Sequence, residues 1–160
     1  MQDVEATYRR YFPLIREKCR RMLGDAAEAD DVAQETFVRF WQSARDKDVR
    51  AASAFIYKTC TRLAVDRIRE RARRPSSDRL LDEVADAAPA SDQSLAARRE
   101  LLLVARTLPG AELEVALLSR LDRLTHEEIA EVLGVSDRTV RRALARLDER
   151  VAALRKEPRW

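Results

Sequence analysis

Apolar residues recur at steps of three and four along the first 73 residues, and this spacing predicts three amphipathic α-helices. Gly24 ends the first predicted helix, and Asp25 with Glu28 gives the N-terminal capping pattern of the second. The third is expected from about Ala52 to about residue 73. The predicted apolar positions are Val4, Tyr8, Tyr11, Phe12, Ile15, Cys19 and Met22, then Ala29, Val32, Ala33, Phe37, Phe40, Trp41 and Ala44, then Phe55, Ile56, Tyr57, Cys60, Leu63, Ala64 and Ile68.

Residues 125–146 predict a short helix, a tight turn and a longer helix. Thr125 and Glu128 have the spacing of a capping box, and Gly134 supplies the positive φ that ends the short helix. Val135 is expected to fill the corner of the turn, and Ser136 to cap the longer helix. The predicted core positions are Ile129, Val132 and Leu133 in the first helix and Val140, Ala143, Leu144 and Leu147 in the second, with the small Ala130 where the helices cross.

The outer face of this longer helix is basic. Its predicted DNA-binding positions are Ser136, Arg138, Thr139, Arg141, Arg142 and Arg146. Arginine binds guanine edges bidentately and also binds phosphates, whereas threonine contacts a thymine methyl group or a phosphate oxygen. We therefore interpret residues 125–146 as a DNA-reading helix-turn-helix; the alternative is an ordinary helical hairpin with a solvated arginine face.

The composition predicts an all-α protein, because only three of 160 residues are glycine and 37% are charged. One histidine, two cysteines and no glycine-rich phosphate loop predict no enzyme, no cofactor and no metal site. Cys19 and Cys60 lie on apolar stripes, which favours buried small side chains over a redox switch. The sequence has no run of eighteen apolar residues and no secretion leader, so we expect no membrane insertion and a cytoplasmic location.

Charge divides the chain into three blocks. Residues 1–74 contain 17 basic and 12 acidic side chains, residues 75–94 contain one and five, and residues 95–160 contain 13 and 11. The middle block is rich in proline, serine and alanine, as linkers are. We therefore predict two small helical domains, residues 1–74 and 95–160, joined by a flexible acidic linker, residues 75–94.

Two charged surfaces are predicted within the first block. The second helix presents Asp30, Asp31, Gln34 and Glu35, which either dock on a basic protein or are a solvated helix start where carboxylates favour the helix dipole. Seven basic and two acidic residues lie between Lys58 and Arg74; this density favours a phosphate-binding surface over a solvated helix end. Phe55 and Tyr57 would stack on bases if exposed, although core positions are favoured.

Taken in order, these features resemble the extracytoplasmic-function type of bacterial sigma factor, a small subunit that gives RNA polymerase its promoter specificity. The likeness spans almost the whole chain. The motifs that carry it are Asp30-Asp31-Val-Ala-Gln34-Glu35-Thr-Phe37-Val-Arg-Phe40-Trp41, then Phe55-Ile-Tyr57 through Leu63-Ala-Val-Asp66-Arg-Ile-Arg69, then Leu108-Pro109 leading into the helix-turn-helix. The first of these motifs is the most specific.

The resemblance implies roles for these surfaces. Asp30, Asp31, Gln34 and Glu35 would dock on the clamp helices of core RNA polymerase, and the helix-turn-helix would read the minus-thirty-five element of promoter DNA as a duplex. The loop around Asp46 to Arg50 would lie near a pocket for a flipped base, and the linker would run toward the RNA exit path. The residues implied in binding the separated minus-ten strand are Lys58, Arg62, Asp66, Arg67 and Arg69.

The sequence departs from the family at two positions. Asparagine is usual where this chain has Arg62, so the minus-ten preference of the family is not carried over. Arginine is common where it has Leu113, so a backbone contact of the family is not expected here. The recognition helix from Ser136 also differs from the commoner lysine- and serine-bearing versions, so no minus-thirty-five sequence is inferred. An anti-sigma factor that wedges between the two domains is usual in the family, and the sequence itself does not show one. The alternative function is a conventional helix-turn-helix regulator that binds duplex DNA as a dimer without polymerase, and a third is an adaptor that binds only proteins.

Overall fold

The computed structural model describes residues 3–46, 51–73 and 103–157, and these ranges contain helices and turns but no strand. The helices are α1 Val4–Leu23, α2 Ala26–Asp46, α3 Ala52–Arg73, α4 Gly110–Arg120, α5 His126–Leu133 and α6 Asp137–Lys156. We call residues 3–73 the amino-terminal lobe and residues 103–157 the carboxy-terminal lobe. The predicted all-α fold is confirmed. The predicted linker and most of the loop before α3 lie outside the described residues.

Short polar side chains and one glycine fix both ends of α1 and the start of α2, and the roles of Gly24 and Asp25 were predicted. Asp3 caps α1 by accepting a hydrogen bond from the backbone amide of Ala6 at 3.0 Å. Gly24 ends α1 with φ of 75°, a left-handed conformation that glycine adopts without steric cost. Asp25 then accepts a hydrogen bond from the amide of Glu28 at 2.8 Å, so the chain reverses within two residues.

The three helices of the amino-terminal lobe share one apolar core. Burying a large apolar side chain stabilises a fold by about 1.5 to 3 kcal/mol, so this cluster is the main source of the lobe's stability. Cys19 and Cys60 lie within it, fully buried, with their Sγ atoms 3.3 Å apart, which confirms their predicted burial. The buried side chains are Ile15, Cys19, Met22, Leu23, Ala29, Val32, Ala33, Phe37, Phe40, Ile56, Cys60, Leu63, Ala64, Val65 and Ile68.

Two aromatic residues predicted to be buried are exposed. Trp41 keeps 48% of its surface in solvent, because it lies 100° around the helix from the fully buried Phe40 and so beyond the edge of the apolar stripe. Tyr8 is 41% exposed, although its ring stacks on that of Phe12 with centroids 4.6 Å apart. The spacing therefore identified the correct stripe but overestimated its width.

The helix-turn-helix forms as predicted at its boundaries. Thr125 and Glu128 make a reciprocal capping box, and Gly134 ends α5 with φ of 66°. Val135, however, is 39% exposed and does not fill the corner. The turn is closed by backbone instead, since the amide of Val135 donates to the carbonyl of Ala130 at 3.0 Å. The unit packs through Ile129, Leu133, Val140 and Ala143 against Val115 and Leu118 of α4.

The short helix α4 has three buried faces. Val115 and Leu118 pack against the helix-turn-helix. Ala116 packs against a second cluster that contains Val104, Leu108 and Leu147. Leu113 and Leu117 belong to the core of the amino-terminal lobe, where their side chains are 0% and 2% exposed. Because α4 is shared in this way, the two lobes pack directly against each other.

An ion pair crosses the same boundary. Lys18 of α1 pairs with Asp122 in the turn after α4, and only 2% and 6% of the two side chains are exposed. A buried lysine requires such a partner, because an isolated buried charge is strongly destabilising. None of the described helices is both long and apolar enough to cross a lipid bilayer.

Candidate nucleic-acid and protein interfaces

Ser136 fixes the amino-terminal end of the basic helix α6. Its Oγ accepts a hydrogen bond from the backbone amide of Thr139 at 3.1 Å. Its hydroxyl also lies 2.9 Å from the hydroxyl of Thr139, so the two side chains are held together. Both residues are exposed. The cap therefore places Thr139 on the solvent side of the first turn of α6.

The predicted arginines of α6 form one exposed basic face. They are Arg138, Arg141, Arg142 and Arg146. Arg141 pairs with Asp137 at 2.8 Å and Arg146 with Glu112 at 2.9 Å, while the two arginine side chains stay 69% and 59% exposed. The Arg141–Asp137 pair is exposed on both sides, and such pairs contribute about 0 to 1 kcal/mol, so Arg141 can exchange its partner for DNA. The side chain of Glu112 is only 11% exposed, so Arg146 is held by a largely buried carboxylate.

The residues implied in minus-ten binding do not all share one face of α3. Lys58, Arg62, Asp66 and Arg69 follow one another at steps of four, four and three, and we call this set the α3 stripe. Arg67 lies outside it and faces α2, with its guanidinium 3.9 Å from a carboxylate oxygen of Glu28.

Part of the α3 stripe is bound by an acidic residue of α4. Arg62 Nε lies 3.2 Å from Glu114 Oε1 across the lobe boundary. Burial raises the pKa of Glu114 above its ordinary value of 4.5, and the nearby Arg62 only partly offsets that effect. The Glu114 carboxylate is thus partly desolvated by the contact between the lobes.

Two more members of the α3 stripe contact the carboxy-terminal lobe. The ammonium group of Lys58 donates to the backbone carbonyl of Leu133, at the end of α5, at 3.4 Å. Arg69 lies so close to Gly110 that a Cβ atom at position 110 would stand 2.9 Å from Arg69 Nη1. Three of the four stripe residues therefore lie against the carboxy-terminal lobe.

On α2, Asp30 is engaged within the lobe. Its carboxylate accepts two hydrogen bonds from the guanidinium of Arg16, at 2.5 and 2.9 Å. This pairing lowers the pKa of Asp30 below its ordinary value. Asp30 thus joins α1 to α2, which distinguishes it from its neighbours.

The other three predicted docking residues of α2 lie on an open surface. Asp31 and Gln34 are exposed, and Glu35 pairs with Arg39 of its own helix at 2.6 Å. Val38 and Trp41, which are 51% and 48% exposed, extend the same side of the helix by helical spacing. We call Asp31, Gln34, Glu35, Val38 and Trp41 the α2 face. Its combination of acidic and apolar side chains suits a protein partner better than a nucleic acid.

Phe55 and Tyr57 lie with the core, as favoured from the sequence. Both are half-buried and pack against the apolar cluster of the amino-terminal lobe. The ring of Phe55 lies 6.0 Å from that of Phe40, and burial raises the pKa of Tyr57. The ammonium group of Lys18 lies 5.2 Å from the centre of the Tyr57 ring.

The residues that join the lobes were missed in the sequence. Lys18 gave a usable signal, because it occupies a position of the apolar stripe between Ile15 and Met22, where a charged side chain needs a partner. Asp122 and Glu114 gave no such signal, since nothing in the neighbouring sequence distinguishes them from solvated carboxylates. Their partners lie 104 and 52 residues earlier in the chain.

Comparison with known proteins identifies the family to which the chain belongs. Residues 7–74 match Sigma-70 region 2, and residues 98–147 match Sigma-70, region 4. The ferric citrate uptake sigma factor FecI of Escherichia coli (strain K12) is 30% identical, in an alignment that covers 96% of this chain and 91% of FecI. The ECF RNA polymerase sigma factor SigW of Bacillus subtilis (strain 168) is 32% identical, with 93% and 85% covered.

A third relative, the RNA polymerase sigma factor CnrH of Cupriavidus metallidurans, is 31% identical over 79% of this chain and 73% of its own length. These matches cover both lobes, and they favour a promoter-directing function over that of a conventional helix-turn-helix regulator. The chain belongs to the extracytoplasmic-function family of bacterial RNA polymerase sigma factors.

Proposed function

We propose that this sigma factor divides promoter recognition among three surfaces. The α2 face, together with Asp30, docks on the clamp helices of core RNA polymerase. The α3 stripe and Arg67 bind the separated minus-ten strand, and the basic face of α6 reads the minus-thirty-five element as duplex DNA. Residues 1–74 would then form the docking and minus-ten domain, and residues 95–160 the minus-thirty-five domain. Residues 75–94 would run toward the RNA exit path.

The observation that carries this proposal is the exposed basic face of α6 on a capped helix-turn-helix. Four arginines point to solvent there, and the ion pair of Arg141 with Asp137 is exposed and therefore weak. Such a helix fits the major groove of duplex DNA, where its amino-terminal residues meet base edges. The surface of α3 is suited to a phosphate backbone by its charge, which supports single-strand binding.

Melting a promoter costs on the order of 1 to 2 kcal/mol for each base-pair step, so the separated strand must be captured to keep the DNA open. In this proposal the α3 stripe supplies that capture while the α2 face holds the lobe on polymerase. The factor would act in the cytoplasm beside the polymerase. An anti-sigma factor is the regulatory partner that the family relationship supports.

Photo-crosslinking tests the assignment of the three surfaces. A photoreactive amino acid is placed at residue 38, 66 or 142 of the full chain, which is then assembled with core polymerase on a promoter found by mapping its transcripts. We expect residue 38 to crosslink to the largest polymerase subunit, residue 66 to the non-template strand near minus ten, and residue 142 to DNA near minus thirty-five. Crosslinks from residue 66 to duplex DNA alone would overturn the strand assignment.

A further inference from the structure

We infer that Glu112 of α4 is a positioning residue for DNA binding: it holds the guanidinium of Arg146 in the direction of the phosphate backbone that borders the major groove. This inference rests on the proposed reading of duplex DNA by the basic face of α6. It adds to that function a residue that does not itself touch DNA and that lies on a helix outside the helix-turn-helix.

Glu112 has no N-cap amide to bind in its own helix. It is the third residue of α4, the position from which a glutamate reaches back to the backbone amide of the N-cap residue in a capping box. The N-cap of α4 is Pro109, and proline has no backbone N–H to donate. At the same position of α5, by contrast, Glu128 accepts a hydrogen bond from the amide of Thr125 at 2.7 Å. Glu112 therefore cannot complete a capping box in α4.

Glu112 contacts α6 instead. Its Oε1 accepts a hydrogen bond from Arg146 Nη1 at 2.9 Å, and only 11% of its side chain is exposed, whereas 59% of the Arg146 side chain is exposed. A largely buried carboxylate requires such a partner, because burial of an unpaired charge costs free energy. The pair differs from that of Arg120 with Asp148 in the same lobe, where both side chains are 64% exposed. One end of the Glu112–Arg146 pair is thus fixed, and the other faces solvent.

The hydrogen bond at one nitrogen orients the whole guanidinium group. The group is planar and carries five N–H donors in a rigid fork, so bonding Nη1 to Glu112 sets the direction of the others. An arginine side chain that moves freely in solution loses rotamer entropy when DNA immobilises it. For Arg146, part of that loss has already occurred in the free chain, because Glu112 holds the side chain. Arg146 is therefore oriented before DNA binds.

The place of Arg146 along α6 indicates a phosphate contact. Arg138, Arg142 and Arg146 follow one another at steps of four, so they lie along one side of the helix. Arg146 lies about 12 Å beyond Arg138 along the helix axis. When the amino-terminal residues of such a helix meet base edges, a residue this far along meets the backbone at the edge of the groove. Phosphate contacts fix the register of a protein on DNA, so Glu112 sets through Arg146 how α6 is seated.

The test compares two variants that each remove one carboxylate from the same lobe. Glu112→Met removes the charge and the acceptor oxygens of the positioning residue but nearly keeps its volume. Asp148→Met removes the carboxylate of the exposed pair and is the matched control, because losing a negative charge near DNA raises affinity in both variants. Each is made alone and together with Arg146→Ala.

Fluorescence anisotropy of the full chain on a random-sequence duplex of about 20 base pairs gives the affinity at several salt concentrations; a phosphate contact does not depend on sequence. Circular dichroism verifies that each variant is folded. If the free chain binds too weakly to measure, the same comparison is made with the reconstituted holoenzyme on a promoter found by mapping its transcripts. Should Glu112→Met lose helicity, Glu112→Gln is compared with Asp148→Asn instead.

We expect Glu112→Met to bind the duplex about three- to ten-fold more weakly than Asp148→Met, because DNA must then immobilise Arg146 unaided. Glu112→Gln keeps an oxygen that can accept the hydrogen bond, so its affinity should lie between the two. In the Arg146→Ala background, Glu112→Met and Asp148→Met should bind equally, since no guanidinium remains to be positioned. Arg146→Ala alone should lower the salt slope by about one.

A folded Glu112→Met variant that binds as tightly as Asp148→Met would overturn the inference, and tighter binding would show that Glu112 keeps Arg146 away from DNA. A loss that persists in the Arg146→Ala background would also overturn it, because the effect would not pass through the guanidinium. Unchanged affinity and salt slope for Arg146→Ala would instead count against the proposed role of Arg146 in duplex binding.

Discussion

Lys18 and Asp122, 104 residues apart in the chain, form an ion pair with only 2% and 6% of their side chains exposed. The pair joins the first helix of one lobe to the turn after α4 in the other. Removing both charges from water costs free energy that their attraction repays only while they remain together. We therefore expect the pair to specify which surfaces of the lobes meet more than to add net stability.

The first prediction separates these two effects. Asp122→Ala should destabilise the closed arrangement, in which the two lobes pack against each other, by about 3 to 5 kcal/mol, because it leaves the Lys18 charge buried without a partner. Lys18→Met combined with Asp122→Leu should be close to neutral, because no charge remains to be desolvated. Urea unfolding followed by tryptophan fluorescence, with scattering to monitor the lobes, measures both. A double variant as unstable as the single one would contradict this account of the pair.

The second prediction concerns pH and Glu114. Burial in the closed state raises the pKa of its carboxyl, and in an open state that pKa should return toward 4.5. The closed state therefore binds the proton more tightly, so closure gains free energy as pH falls through the raised pKa and loses that gain above it. The charged groups that act on Glu114 are Arg62, Asp66 and Lys58, all on α3.

The difference between the wild type and Glu114→Gln isolates this carboxyl. We expect the wild type to be less compact than the Gln variant near neutral pH and to approach the compactness of that variant as pH falls toward 4.5, as measured by scattering. The Gln variant should lack this part of the pH dependence. Identical pH profiles for the two proteins would show that Glu114 is not desolvated by closure.

The third prediction concerns the α2 face. Asp31→Lys with Glu35→Lys should reduce binding to core RNA polymerase at least about ten-fold, because reversed rim charges repel a basic partner and slow association. Binding of the free chain to duplex DNA should change no more than in a control that adds the same charge. Glu5→Lys with Glu17→Lys is that control, since both residues are exposed on α1. Equal loss of polymerase binding in both variants would place the docking surface elsewhere.

The fourth prediction concerns base reading by α6. Arg142→Ala should cost about 1 to 3 kcal/mol of binding to the minus-thirty-five element and relax specificity at one base pair, if Arg142 contacts a base edge. Arg150→Ala, at an exposed position of the same helix outside the predicted DNA-binding set, should leave the sequence preference unchanged. Competition binding against single-base variants of the element distinguishes the two. A uniform loss for Arg142→Ala, with a smaller salt dependence, would indicate a phosphate contact instead.

The local structure was predictable because its causes are local. Asp25 and Thr125 cap helices through hydrogen bonds that span three residues. Gly24 and Gly134 end helices in the left-handed conformation, which depends only on steric contacts within neighbouring residues. The basic face of α6 was predictable from the sequence for the same reason. Helical spacing alone decides which arginines share it.

Contacts between distant segments were not predictable in the same way. Trp41 was placed in the core because its spacing fits the stripe of α2, but spacing does not tell how wide a surface the neighbouring helices cover. Leu113 and Leu117 were not assigned to any core from the sequence, and no pattern indicated that they pack against the other lobe. Whether the α3 stripe is open to DNA depends on that long-range packing.

Transcription by the reconstituted enzyme tests the central claim most directly. Core polymerase with and without the full chain is given fragmented genomic DNA from the source bacterium, and the 5′ ends of the RNA are mapped. We predict a limited set of start sites that depend on the chain, preceded by shared elements near minus ten and minus thirty-five, with Arg142→Ala altering the choice among them. Start sites that are the same with and without the chain would contradict the account.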